Sequence, residues 1–207
     1  MQRLQAAVAL HNQGQLDQAE AIYRQVLTVD ANNFYALRFL GCLCRLKGMF
    51  DEGIPLLLEA ARQRPRDKDV LYNLANSYMD SGRHEKAVEV FENCLILNDE
   101  FAEALMGMGW SLLEIGRAKD SCIALKKAVK INPGLFQAWM NLGNTFRELG
   151  RVSDAITSYR KAIELKPDFV DALSQLAGEL SKRDEYEEVI SLYKRALAED
   201  PDHVNSS

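Results

Sequence analysis

One interval organises the whole chain. Gly14, Gly48, Gly82, Gly116 and Gly150 recur at steps of 34 residues. Pro133, Pro167 and Pro201 keep the same step, with Pro65 two steps before Pro133. Ala7, Gly41, Ala75, Gly109, Gly143 and Ala177 form a third series at that interval. Three series in one register, with no insertion, describe an array of equal units stacked along one dimension. Each unit holds two apolar segments at helical spacing, as in Leu71, Leu74, Ala75 and Tyr78, then Ala87, Val88, Phe91, Cys94 and Leu95. The glycine between them sits where a first helix needs a left-handed cap. The small series lets the two helices of a unit approach closely. Pro near the unit end stops the second helix, and Pro-Asp at 167–168 and 201–202 is turn chemistry. One helix pair cannot bury its apolar stripe alone, so neighbours must stack. The fold class is all-α, with six helix–turn–helix repeats and about twelve helices.

With Phe34 as position 1 of the second repeat, the repeats run 1–33, 34–67, 68–101, 102–135, 136–169 and 170–203, a single array followed by a tail, 204–207. The fifth carries the fullest signature: Trp139, Leu142, Gly143, Phe146, Gly150, Ala155, Tyr159, Ala162 and Pro167. This is a W-x2-L-G-x2-Y…A-x3-F…P pattern with the two aromatic types exchanged. The chain resembles the tetratricopeptide repeat (TPR) family over residues 1–203. The resemblance implies a right-handed superhelical solenoid whose first helices line a concave groove.

Several positions depart from that pattern. Gly53 and Pro55 fall early in the second helix of repeat two, and Pro55 removes a backbone donor, so that helix is expected to start weakly or bend. Asp184 replaces the hairpin glycine in repeat six, within an acidic stretch that continues through Glu185, Glu187 and Glu188 and reads as a solvated face. No additional solvating helix follows repeat six, so apolar surface near Leu192 and Leu197 is expected to lie open. Self-association through such uncapped ends is one consequence.

Charge and composition narrow the function classes. With 25 Lys and Arg against 30 Asp and Glu, the net charge of -5 gives no footprint for nucleic acid. No apolar run approaches the ~20 residues of a membrane span. Cys42, Cys44, Cys94 and Cys122 do not form a disulfide framework and suit a reducing cytoplasm. His11 is expected in the first groove, His84 at an outer turn and His203 in the tail, and none pairs with a cysteine at metal spacing. Cys42 and Cys44 alternate between groove and core. No phosphate loop or nucleophile elbow occurs. The chain is expected to be non-catalytic, without metal or cofactor.

The resemblance implies groove positions 2, 5, 6, 9, 12 and 13 in each repeat. Carried onto this sequence, these give Arg38, Tyr72, Asn73, Asn76, Met106, Trp110, Met140, Asn141, Asn144, Arg147 and Gln175 as the candidate polypeptide-binding residues. An Asn side chain both donates and accepts, so it can pair with an extended backbone of any sequence. Met106, Trp110 and Met140 would form an apolar patch. Arg38 and Arg147 would meet acidic groups. The stretches YNLANSY and MNLGNTF look like the TPR region of the O-linked N-acetylglucosamine transferase family, where an asparagine ladder binds substrate polypeptide; here Phe39 and Gly107 interrupt it. A plainer account has these asparagines capping or bridging repeats. The clamp by which TPR modules hold acidic chaperone tails is not reproduced, because Glu103 or Asp171 falls where a base is needed. Three functions remain open: a scaffold holding a polypeptide segment in its groove, the substrate-recruiting part of a larger enzyme such as a glycosyltransferase or sulfotransferase, and a self-associating structural protein.

Overall fold

The structure, a computed structural model, describes residues 2–183 and 186–199. It packs as two compact units, divided between residues 99 and 100, two residues before the third repeat ends. Unit one holds α1 (Gln2–Asn12), α2 (Leu16–Val29), α3 (Phe34–Leu46), α4 (Phe50–Gln63), α5 (Lys68–Asp80) and α6 (His84–Leu97). Unit two holds α7 (Ala102–Glu114), α8 (Ala118–Ile131), α9 (Phe136–Glu148), α10 (Val152–Leu165), α11 (Val170–Ser181) and α12 (Tyr186–Glu199). Odd-numbered helices are the first helices of their repeats and even-numbered ones the second.

Local chemistry sets the boundaries. Asn33 caps α3 by accepting from the Ala36 amide, and Asp67 caps α5 by accepting from Asp69 and Val70. The hairpin at Gly82 shows the common exit from a first helix. Gly82 takes a φ of 73°, which costs an L side chain energy, and the chain reverses so that the Arg83 amide reaches the Tyr78 carbonyl at 2.8 Å. In unit one the core runs through Ala7, Ala19, Tyr23, Leu40, Leu43 and Cys44, then through Phe34, Leu37, Ala60 and Val70. In unit two Leu125, Tyr159, Leu173, Leu176 and Leu180 are almost wholly enclosed.

The close approach expected of the small series is present. A Cβ on Gly143 would enter the ring of Tyr159, so α9 and α10 meet over a bare backbone. Gly53 serves the same purpose from the second helix, since a Cβ there would lie 2.8 Å from that of Cys44. Its role is contact between α3 and α4, where the sequence suggested only a weak start. That suggestion is corrected by α4 itself. The helix begins at Phe50, the same repeat position as the other second helices, and runs 14 residues through Pro55. Pro55 is exposed, so the carbonyl that loses its donor there faces water.

Two further expectations change at α12. Leu192 is buried, and the exposed apolar side chains there are Tyr186 and Ile190. The side chain of Leu197, together with Asp184, Glu185 and His203, lies outside the described residues. Glu187 is solvent-exposed and Glu188 partly so, and Glu188 accepts from Arg160 at 2.9 Å.

Candidate functional site

In unit one, three successive first helices converge on a recess of about 200 Å³. Val8, His11 and Asn12 come from α1, Arg38, Phe39 and Cys42 from α3, and Asn73 from α5. The floor is Tyr23 of α2, fully buried, with its ring stacked on Phe39 at 5.8 Å between centroids and edge-on to His11. Arg38 holds its guanidinium over the Phe39 ring at 4.8 Å and lies 3.9 Å from the Asp69 carboxylate. Along the same face Arg45 pairs with Asp80 at 2.7 Å. Burial keeps His11 below its ordinary titration range and pushes the Cys42 thiol up to about 11, so at neutral pH both are uncharged.

The asparagines of α5 are partly committed to their own helix. Asn73 Nδ2 donates to the Asp69 carbonyl at 2.7 Å, and Asn76 Nδ2 donates to the Tyr72 carbonyl at 2.9 Å. Asn76 is only 8% exposed. Asn73 is left with its Oδ1 acceptor and one Nδ2 hydrogen. Tyr72 is half-buried, its ring 6.3 Å from that of Phe91.

Unit two arranges its candidates differently. Asn144 Oδ1 accepts from the Tyr159 hydroxyl at 2.8 Å, which ties the side chain into its own repeat. The Asn141 side chain is half-buried, and its carbonyl accepts from Thr145 Oγ1 at 2.8 Å. Arg147 donates to Gln175, so these two candidates from α9 and α11 meet each other. Met106 and Trp110 are half-buried on α7. Met140 is 7% exposed and belongs to the core, which corrects its placement as a groove anchor. The spacing that puts position 5 in the wall of a recess in one repeat puts it under neighbouring side chains in another.

The four cysteines are free, and burial raises the thiols of Cys44 and Cys94 as well as Cys42. Such thiols are poor nucleophiles. Among the described residues, no group of three or more His, Cys, Asp or Glu could hold a metal ion. Among them, too, no helix is long and apolar enough to cross a membrane.

Family models described as tetratricopeptide repeat match residues 4–68, 72–136, 45–93 and 172–204, and one described as TPR repeat matches 143–177. The chain belongs to the tetratricopeptide repeat family. Its fold is that of solved TPR proteins. It is similar to the crystal structure of MamA, with 26% identity and a TM-score of 0.70, over 80% of this chain and 97% of that one. YrrB, titled a TPR protein with an unusual peptide-binding site, is 16% identical with a TM-score of 0.66, over 88% of this chain and 94% of that one. The Cut9–Hcn1 structure is 17% identical with a TM-score of 0.83, and the match covers 98% of this chain and 40% of that one. The last two likenesses show the TPR fold alone.

In TPR terms, the recess of unit one is built from positions 5, 6, 9, 12 and 13 of first helices. The sequence reading named Arg38 and Asn73 there and placed His11 in the first groove, but missed Tyr23 and Val8. Tyr23 stands in the register of Leu57, Phe91, Leu125, Tyr159 and Tyr193, which marks it as core. The available signal was its hydroxyl, since a phenol in a core register needs a partner or an opening.

Proposed function

We propose that this chain is a non-catalytic protein-interaction scaffold whose first helices receive a polypeptide segment. The observation that carries this reading is the recess itself. Three successive first helices, α1, α3 and α5, contribute both polar and aromatic groups to one concavity. Asn73 offers an acceptor for a backbone amide, Arg38 a charged donor, and Phe39 an apolar wall. In unit two, Asn141 and the Arg147–Gln175 pair supply equivalent groups on α9 and α11. The likeness to YrrB supports the class of ligand, as that protein is titled for its peptide-binding site. A reducing cytoplasm suits its four free thiols.

The test is a peptide-display selection against the full chain, followed by affinity measurements on Asn73→Ala and Asn141→Ala. At least one variant should weaken the enriched peptides about tenfold, or ~1.4 kcal/mol, with unchanged helix content. Enriched peptides that bind both variants as tightly as the parent would move the binding surface off the first helices and sink the reading.

A further inference from the structure

Repeat position 24 is tyrosine in the first, fifth and sixth repeats, and the hydroxyls of the first two end differently. Tyr159 donates to Asn144, which sits at position 9 of the same repeat. At position 9 of the first repeat the chain has Val8, which can take no such bond. The Tyr23 hydroxyl is fully enclosed and has no partner within the protein, although it lies on the floor of the recess. Arg38 Nε, in the wall of the same recess, is likewise buried without a partner. Two unspent donors, one of them cationic, thus belong to residues that line one small volume.

That volume does not end at the donors. An apolar hollow of about 370 Å³ adjoins it, lined by Leu4, Gln5, Val8, Tyr35 and Phe39. Val8 and Phe39 belong to both walls, so the polar recess and the apolar hollow lie side by side along α1 and α3.

We infer that the recess holds a carboxylate of the bound polypeptide, taking hydrogen bonds from Tyr23 Oη and Arg38 Nε, while the adjoining hollow takes the apolar side chain beside it. This rests on the groove reading above and names its ligand chemistry. Arg38 lies 3.9 Å from Asp69, a loose pairing, and a carboxylate accepts from both donors with charge-assisted strength. An Asp or Glu side chain and a free chain end present the same group.

The test titrates the isotope-labelled full chain with an acetylated, amidated Ala-Leu-Glu-Leu-Ala peptide and with its Gln-for-Glu twin. A third probe, Ala-Leu-Ala-Leu, is used with a free and with an amidated C-terminus. The amide signals of Val8 and Phe39 should move, with a charged probe binding about tenfold more tightly than its neutral twin. Preference within the first pair assigns the carboxylate to a side chain, and within the second to a chain end. Tyr23→Phe and Arg38→Gln should each erase the preference; the first keeps the ring stack on Phe39. Val8→Asn should recreate the Tyr159–Asn144 arrangement, erase the preference and raise the melting temperature, so loss of binding comes with gain of fold. Equal binding of charged and neutral probes at these signals would overturn the carboxylate while leaving the groove reading intact. No movement of these signals with any probe would overturn the inference, and the Asn73→Ala and Asn141→Ala affinities decide the groove separately.

Discussion

Side chains of one type take different roles here according to a single neighbour. Tyr23 and Tyr159 share a repeat position, and burial pushes both phenols up to about 12, yet one spends its proton on Asn144 and the other is enclosed without a partner. The asparagines show the limit of what residue type reveals. Their placement on first helices was legible from spacing, but their bonding to Asp69, Tyr72 and Tyr159 was not, because a side chain three bonds long chooses between its own turn and a ligand in three dimensions. His11 gives a prediction at this scale. Burial lowers its pKa from 6.5, so as pH falls below 6.5 the unfolded chain takes up the proton first and the folded state loses stability. The paired carboxylates Asp17 and Glu20, also lowered, contribute stability that is lost only in the more acidic range below 4.5. Melting temperature should therefore decline between pH 6.5 and about 5 in the parent. The decline should be shallower in His11→Gln; identical slopes would show that the ring titrates without resistance in the fold.

At the scale of the helix, period and punctuation were the readable part. A glycine at fixed intervals closes the first five hairpins because the left-handed turn admits little else, and that requirement is local enough to survive in sequence. Gly53 and Pro55 read less well because their consequences lie across a helix pair. Gly53 is required by Cys44 on the facing helix, and Pro55 is tolerated because it points outward. Replacing Pro55 by Ala restores a backbone donor without adding bulk to the core. Pro55→Ala should stabilise the chain by about 1–3 kcal/mol in denaturant melts. A destabilisation would mean that α4 depends on the proline geometry. By contrast Gly143→Ala drives a methyl into the Tyr159 ring and should cost about 1–3 kcal/mol while also loosening the Tyr159–Asn144 bond.

Within each unit, a repeat rests on its sequence neighbours, so damage should stay near its source. Leu40→Ala empties a buried site in unit one at a cost of about 2–5 kcal/mol. Hydrogen exchange should then quicken in α1 through α4 while α9 through α11 keep their protection, and a uniform loss across all helices would show one cooperative unit instead. The array was legible in sequence because every repeat solves the same packing problem; the recess was not, because it exists only where first helices of different repeats meet. One seam recurs in both units. Arg24 grips Glu52 through two bonds, and four repeats later Arg160 grips Glu188 at the same separation of 28 residues. Each pair is exposed and contributes no more than about 1 kcal/mol. Its importance is interchangeability: Arg24 would meet Glu188 as readily as Glu52 if intervening repeats were excised in frame. Unequal crossing-over between gene copies would thus yield longer and shorter descendants whose new joints already carry a matching clasp.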